Sequence, residues 1–314
     1  MSLAFVFPGQ GSQAVGMLAA LAADEPAVEQ TFSAASHALG YDLWALVQNG
    51  PESALNATDK TQPAMLAAGV AVWRAWLANG GARPSFLAGH SLGEYTALVC
   101  AGALELDAAV RLVEFRGQIM QEAMPEGRGA MAAVLGLADD VVREGCAEAA
   151  QGEVVEAVNF NAPGQVVIAG HASAVARATE ILLARGARRA VALPVSVPSH
   201  CSLMREAAGR LAARLDAITI VEPRIPIIHN VDACEHTDTR AIREALVAQL
   251  HRPVLWVDTV RALAERGVVR VIECGPGKVL QGLVKRTDRA LESAAIHDPQ
   301  SLHAQLGEED NDDT

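Results

Sequence analysis

Aromatic residues are scarce in this 314-residue chain, at 4% against an apolar fraction of 51%. Its interior must therefore be built from Ala, Val and Leu, as in proteins that lay helices on a parallel sheet. The five cysteines (Cys100, Cys146, Cys201, Cys234 and Cys274) are odd in number and form no C-x-x-C pair, which argues for reduced core thiols over disulfides or zinc ligands. The nine histidines show no metal-ligand spacing either, so no metal is expected. No apolar run is long enough to span a bilayer, and the first residues read as a strand where a leader would stand. These absences point to a cytoplasmic protein without a membrane role. A formal charge of −12 with no basic stripe excludes nucleic acid as a partner. Part of that charge lies in an acidic tail over 307–314, which reads as solvated and outside the chemistry. The length allows one large domain or a domain carrying an insertion.

What the chain does have is a serine set between two glycines, in Leu87-Ala88-Gly89-His90-Ser91-Leu92-Gly93-Glu94-Tyr95. This is the G-x-S-x-G pattern of a nucleophile elbow, where strand gives way to helix so sharply that small residues must flank the serine. The context fits, with Ser85–Ala88 reading as a short strand and Tyr95–Ala101 as a helix stopped at Gly102. The Ser91 hydroxyl is then exposed, and the Leu92 N–H points where an oxyanion would form. Upstream, Leu3–Phe7 reads as a buried strand running into Pro8-Gly9-Gln10-Gly11-Ser12-Gln13. That loop is not G-x-G-x-x-G. It is either a plain polar turn or a ligand-facing loop at the sheet edge where strand ends converge.

From Leu18 to Trp76 the pattern is helical, with breaks at Gly40, at Gly50-Pro51 and around Thr61-Gln62-Pro63, and with Trp44, Trp73 and Trp76 in or near the core. The helix Asp107–Ala123 places Ala109, Leu112, Val113, Ile119, Met120 and Ala123 on one face. Arg116 falls in the middle of that face, where a guanidinium must find a partner. The partner is either a structural carboxylate or the carboxylate of a substrate held in the guanidinium fork.

Residues 128–197 read as a separate βαββαβ unit, the ferredoxin-like order. Its strands are expected at 130–135, 154–158, 165–169 and 189–195, its helices at 139–149 and 172–185, and a turn over Asn159–Gly164 joins the middle strands. The chain returns to the large domain at Pro198-Ser199-His200-Cys201, before a helix from 203 to about 215. A serine hydroxyl is a poor nucleophile without a neighbouring base. His200 is preferred for that role, because His90 lies inside the elbow with its ring turned away from the hydroxyl. The remainder alternates an edge strand (225–230), helices (240–250 and 258–266) and a strand (268–273). No acidic residue is placed as a third triad member, so a main-chain carbonyl is expected to orient the His200 ring.

Six motifs in order now carry a resemblance: Phe7-Pro8-Gly9-Gln10-Gly11-Ser12-Gln13, Gly89-His90-Ser91-Leu92-Gly93-Glu94-Tyr95, Arg116-Gly117, Asn159-Phe160-Asn161, Pro198-Ser199-His200 and Glu273-Cys274-Gly275-Pro276-Gly277-Lys278-Val279-Leu280. From residue 3 to about 287 the chain resembles the malonyl-CoA:acyl carrier protein transacylases, the acyltransferases of fatty acid synthesis. The resemblance implies an α/β-hydrolase-like large domain with a parallel sheet (1–127 and 198–306) and an inserted ferredoxin-like small domain (128–197). It further implies a Ser91–His200 dyad, an oxyanion hole from Gln10 and the Leu92 N–H, and Arg116 as the clamp on the malonyl carboxylate. Malonyl-CoA is then the substrate, acyl carrier protein the partner, no cofactor is bound, and the chain works as a monomer.

In Gln249-Leu250-His251-Arg252-Pro253-Val254-Leu255-Trp256 the family commonly has glutamine where this chain has Leu255. The resemblance makes the Leu255 main chain the group that orients the histidine. The same fold also serves malonate decarboxylase and polyketide systems, and two readings from other classes are a serine hydrolase and a non-catalytic carrier-binding module. Arg116 separates the first of these, since an ordinary esterase has no use for a buried cation; the second would not need both Ser91 and His200. An acidic carrier docking on an acidic chain requires a local basic patch. Arg185, Arg188, Arg189, Lys278, Lys285 and Arg286 are the candidates.

Overall fold

The computed structural model describes residues 2–125, 127–195 and 197–307. The acidic run from 308 onward lies outside them. Two sheets organise the chain. The first is five-stranded and parallel, in the order β7-β2-β1-β8-β9, from β1 (Leu3–Phe7), β2 (Phe86–Gly89), β7 (Ile227–Ile228), β8 (Arg270–Cys274) and β9 (Glu292–Ile296). The second is four-stranded and antiparallel, in the order β4-β5-β3-β6, from β3 (Gly129–Leu135), β4 (Val155–Ala162), β5 (Gln165–His171) and β6 (Arg189–Ala192).

Strand β1 is central and wholly buried, as a continuous apolar run should be when helices cover both faces. Strand alternation still sorts its side chains. Leu3, Phe5 and Phe7 join one core with Trp73 and Trp76, while Ala4 and Val6 join another with Val254, Trp256 and Leu280. Phe5 meets Trp73 and Trp76 edge-on at 5.6 and 5.3 Å. The chain passes from β1 to β2 on one side and later to β8 on the other. The segments that follow β1 and β2 carry Gln10 and Ser91 to the carboxyl edge of the sheet, the edge where ligands of open α/β sheets bind.

Several expectations need correction. The helix Thr58–Ala78 runs straight through Thr61-Gln62-Pro63; Pro63 forfeits one backbone bond near the helix start, which burial of nearly the whole helix outweighs. The break actually falls at Asn56-Ala57. Strand β4 continues to Ala162, so Asn159-Phe160-Asn161 belong to the strand and only Pro163-Gly164 turn. The reason is an external partner: Asn159 bridges Val254, the Val254 N–H donates to Val158 and the Phe160 N–H to Val254. Backbone groups expected to lie in a loop are thus paired with the segment that leads into the helix Trp256–Glu265. Strand β6 stops at Ala192, short of the expected 195. The expected edge strand 225–230 pairs only at Ile227–Ile228.

Candidate active site

Ser91 stands at the end of β2, before the helix Gly93–Cys100, with φ of 51°. A non-glycine residue in that region costs about 1–3 kcal/mol, so the surroundings must hold it. They leave no room for side chains at the flanks. A Cβ on Gly89 would lie 1.9 Å from the Gly93 carbonyl carbon, and one on Gly93 would lie 2.0 Å from the Phe7 oxygen. Asn230 clamps the turn, accepting the Ser91 N–H at 2.7 Å and donating to the Gly89 oxygen at 2.7 Å.

His200 reaches the serine from the other side, with Nε2 2.8 Å from Ser91 Oγ. Its position follows from the helix Thr239–His251, whose last carbonyls lack intrahelical partners. His200 supplies two: its N–H donates to Leu250 at 3.1 Å and its Nδ1–H to the Gln249 oxygen at 2.6 Å. The ring is thereby fixed with its Nε2 lone pair toward the hydroxyl. Only 3% of His200 is exposed; burial, reinforced by the Arg116 charge, pushes its pKa down to about 3. The imidazole is neutral at physiological pH and free to accept a proton.

The Leu255 expectation is wrong. The Leu255 carbonyl accepts the Thr259 N–H at 2.9 Å and the Thr259 hydroxyl at 3.0 Å, inside the first turn of the helix Trp256–Glu265. A carbonyl directed along its own helix cannot serve His200. The orienting group is the Gln249 carbonyl, so the glutamine sought at 255 is present six residues earlier.

Arg116 lies on the buried face of the helix Leu106–Glu122 and is 1% exposed. No carboxylate among the described residues pairs with it directly. Nη1 donates to Gln62 Oε1 at 2.8 Å, Nη2 to Gln249 Oε1 at 2.9 Å and to Ser91 Oγ at 3.3 Å, and Nε has no acceptor among the described residues. The guanidinium also faces the Tyr95 ring, 5.4 Å from its centroid. A cation held by neutral amides keeps its charge available to an incoming anion.

Ser91, His200, Arg116, Gln10 and Leu92 line one cavity of about 110 Å³, closed by Met120, Met131 and Leu193. Since Asn230 takes the Ser91 N–H, the Leu92 N–H is the amide beside the serine left for an oxyanion. His90 Nε2 meets Asn161 Oδ1 at 2.8 Å, away from the hydroxyl. No cluster of His, Cys, Asp or Glu able to hold a metal occurs among the described residues. Of the proposed basic patch, Arg185 is already paired with Glu144 and Glu148, and Arg286 is bonded to Gln165.

Sequence reasoning missed Gln62, Gln249, Asn230 and the buried Glu94. One signal was present. Gln249 follows Ile242, Ala245 and Leu246 at helical spacing, so it is a polar residue on an apolar helix face just as Arg116 is.

The acyl transferase domain family matches residues 4–304. The malonyl CoA-acyl carrier protein transacylase of Salmonella typhimurium is 57% identical over 303 residues, covering 96% of this chain and 98% of that protein. An acyl carrier protein S-malonyltransferase from Vibrio cholerae superposes with a TM-score of 0.95 at 56% identity, covering 97% of this chain and 99% of the other. A malonyl-transacylase solved in complex with its type II polyketide synthase acyl-carrier protein gives 0.97 at 55% identity, covering 98% and 100%.

Proposed function

Because the chain belongs to the acyl transferase domain family, we infer that it transfers malonyl from coenzyme A to the phosphopantetheine thiol of an acyl carrier protein through an ester on Ser91. The observation that carries this reading is the Ser91 Oγ to His200 Nε2 contact of 2.8 Å beside a guanidinium with no carboxylate of its own. Ser91 Oγ attacks the thioester carbonyl while His200 Nε2 takes the hydroxyl proton. Negative charge on the carbonyl oxygen is met by the Leu92 N–H and by Gln10. The carbon–sulfur bond then breaks, and the coenzyme A sulfur leaves with the proton held on His200. The second half runs in reverse: His200 takes the carrier thiol's proton, sulfur attacks the ester, and Ser91 recovers its hydrogen. While His200 is charged, the C-terminal end of the helix Thr239–His251, to which it is bonded, favours the cation.

Arg116 binds the carboxylate that distinguishes malonyl from acetyl, and this argues against a general serine hydrolase. The antiparallel sheet, in the order β4-β5-β3-β6 with helices between β3 and β4 and between β5 and β6, supports reading 128–197 as a ferredoxin-like insertion. The hydrolase-like remainder is 1–127 with 198–306. Ser91, His200 and Arg116 come from one chain, which supports a working monomer, and five free cysteines suit the reducing cytoplasm. The likeness to a transacylase seen with a polyketide carrier supports carriers of that kind as acceptors too.

Mass spectrometry tests the intermediate directly. Incubation with malonyl-CoA should add one malonyl group, and Ser91→Ala should remove the increment. A label that persisted in Ser91→Ala would refute the assignment.

A further inference from the structure

Glu94 belongs to the elbow motif, yet it lies outside the cavity and is completely buried. Its carboxylate collects three donors: His229 Nδ1 on Oε1 at 2.7 Å, and the Asn230 N–H and Gln249 Nε2 on Oε2, each at 3.0 Å. Two of these donors hold the serine. Asn230 accepts the Ser91 N–H, and Gln249 Nε2 donates to the Ser91 carbonyl at 2.9 Å. Both ends of a residue in an unfavourable conformation are thus tied to groups that Glu94 orders.

The Gln249 amide matters most. Its nitrogen faces Glu94 and the Ser91 carbonyl while its oxygen faces Arg116 Nη2. Flipping it would put an NH₂ against the guanidinium and an oxygen against two oxygens, so all three bonds would be lost together. A negative charge behind the amide nitrogen excludes the flipped form. We propose that Glu94 is the positioning residue of this site: acting through the amide of Gln249, it presents the amide oxygen that holds Arg116 Nη2 and so sets the preference for a substrate bearing a terminal carboxylate. The inference rests on the malonyl-transfer reading.

The quantity to measure is the ratio of kcat/KM for malonyl-CoA to that for acetyl-CoA. Glu94→Gln keeps shape and removes charge, and the ratio should fall at least tenfold. Gln249→Met should lower it as well, and Glu94→Gln combined with Gln249→Met should lower it no further than Gln249→Met alone, because the two act through one amide. A residue that merely stabilised the fold would depress both substrates alike. If Glu94→Gln does not fold, Glu94→Asp draws the carboxylate back while keeping its charge, and a three- to tenfold fall is expected. An unchanged ratio in the folded variant, or losses that multiply in the double variant, overturns the inference. Failure of the underlying reading shows separately, as a wild-type protein that takes no malonyl on Ser91.

Discussion

Removing the Arg116 guanidinium should change which thioester the protein accepts. In Arg116→Ala the oxygens of Gln62 and Gln249 lose a donor at 2.8 and 2.9 Å, and the carboxylate of malonyl loses its cation. Hydrogen bonds to charged groups contribute about 1.5–3 kcal/mol each. A bidentate carboxylate makes two, so roughly 3–6 kcal/mol of malonyl binding in the transition state is at stake, or about 10²- to 10⁴-fold in kcat/KM at ~1.4 kcal/mol per tenfold. Acetyl has no carboxylate and should lose little; it gains where the desolvated charge had been a cost. Folding should survive, because the variant removes an unpaired buried cation together with its packing. The assay follows release of coenzyme A from each thioester and the mass of the acyl-protein, after circular dichroism confirms the fold. Equal losses for malonyl and acetyl in a folded protein would refute the argument and leave Arg116 a structural residue.

The burial of His200 and the space around two glycines set the remaining outcomes. With His200 held neutral down to a pKa of about 3 against an ordinary 6.5, the unfolded chain binds a proton that the folded chain refuses. Stability should therefore fall as pH drops from 6.5 toward 3, and His200→Gln should flatten that stretch of a urea-denaturation pH series. The acid limb of malonyl-serine formation should likewise lie well below pH 6.5, and a limb at 6.5 would show a solvated histidine. Gly93→Ala places a Cβ 2.0 Å from the Phe7 oxygen and should cost more than ~3 kcal/mol in urea denaturation. Gly209→Ala, in the helix Arg205–Asp216 with open space around the new methyl, should instead stabilise by about 0.5–1 kcal/mol.

Local rules made much of this molecule readable. The elbow, the buried β1 and the βαββαβ order each rest on spacing within one short stretch, and the structure has a strand or helix in each of those places. Arg116 stood out because a charge on an apolar face violates a periodic pattern. The missed features depend on contacts distant in sequence. Asn159-Phe160-Asn161 looked like a turn because polar residues beside Pro-Gly usually are; the Val254 backbone that makes them strand lies some ninety positions away. Pro63 looked like a break because propensity outweighs burial in a short window and the reverse holds in a packed helix. The carbonyl that orients His200 could not be told from its neighbours, since Gln249 ends one helix and Leu255 begins the next and only the fold shows which of them faces the ring.

The backbone stitch between Val254 and β4 bears on how the molecule comes apart. Ala162 of β4 packs in the core that holds Trp256, and Leu255 packs in the core under the antiparallel sheet, beside Phe160 and Ile168. Each core borrows a side chain from the other's strand or loop. Melting the antiparallel sheet alone would strip the Val254 bonds and remove Ala162 from the core that holds Trp256, so the local event already carries part of the global cost. The two sheets should therefore unfold in one cooperative transition, with tryptophan fluorescence and far-UV circular dichroism changing at the same denaturant concentration; two separate midpoints would show that the stitch does not couple them.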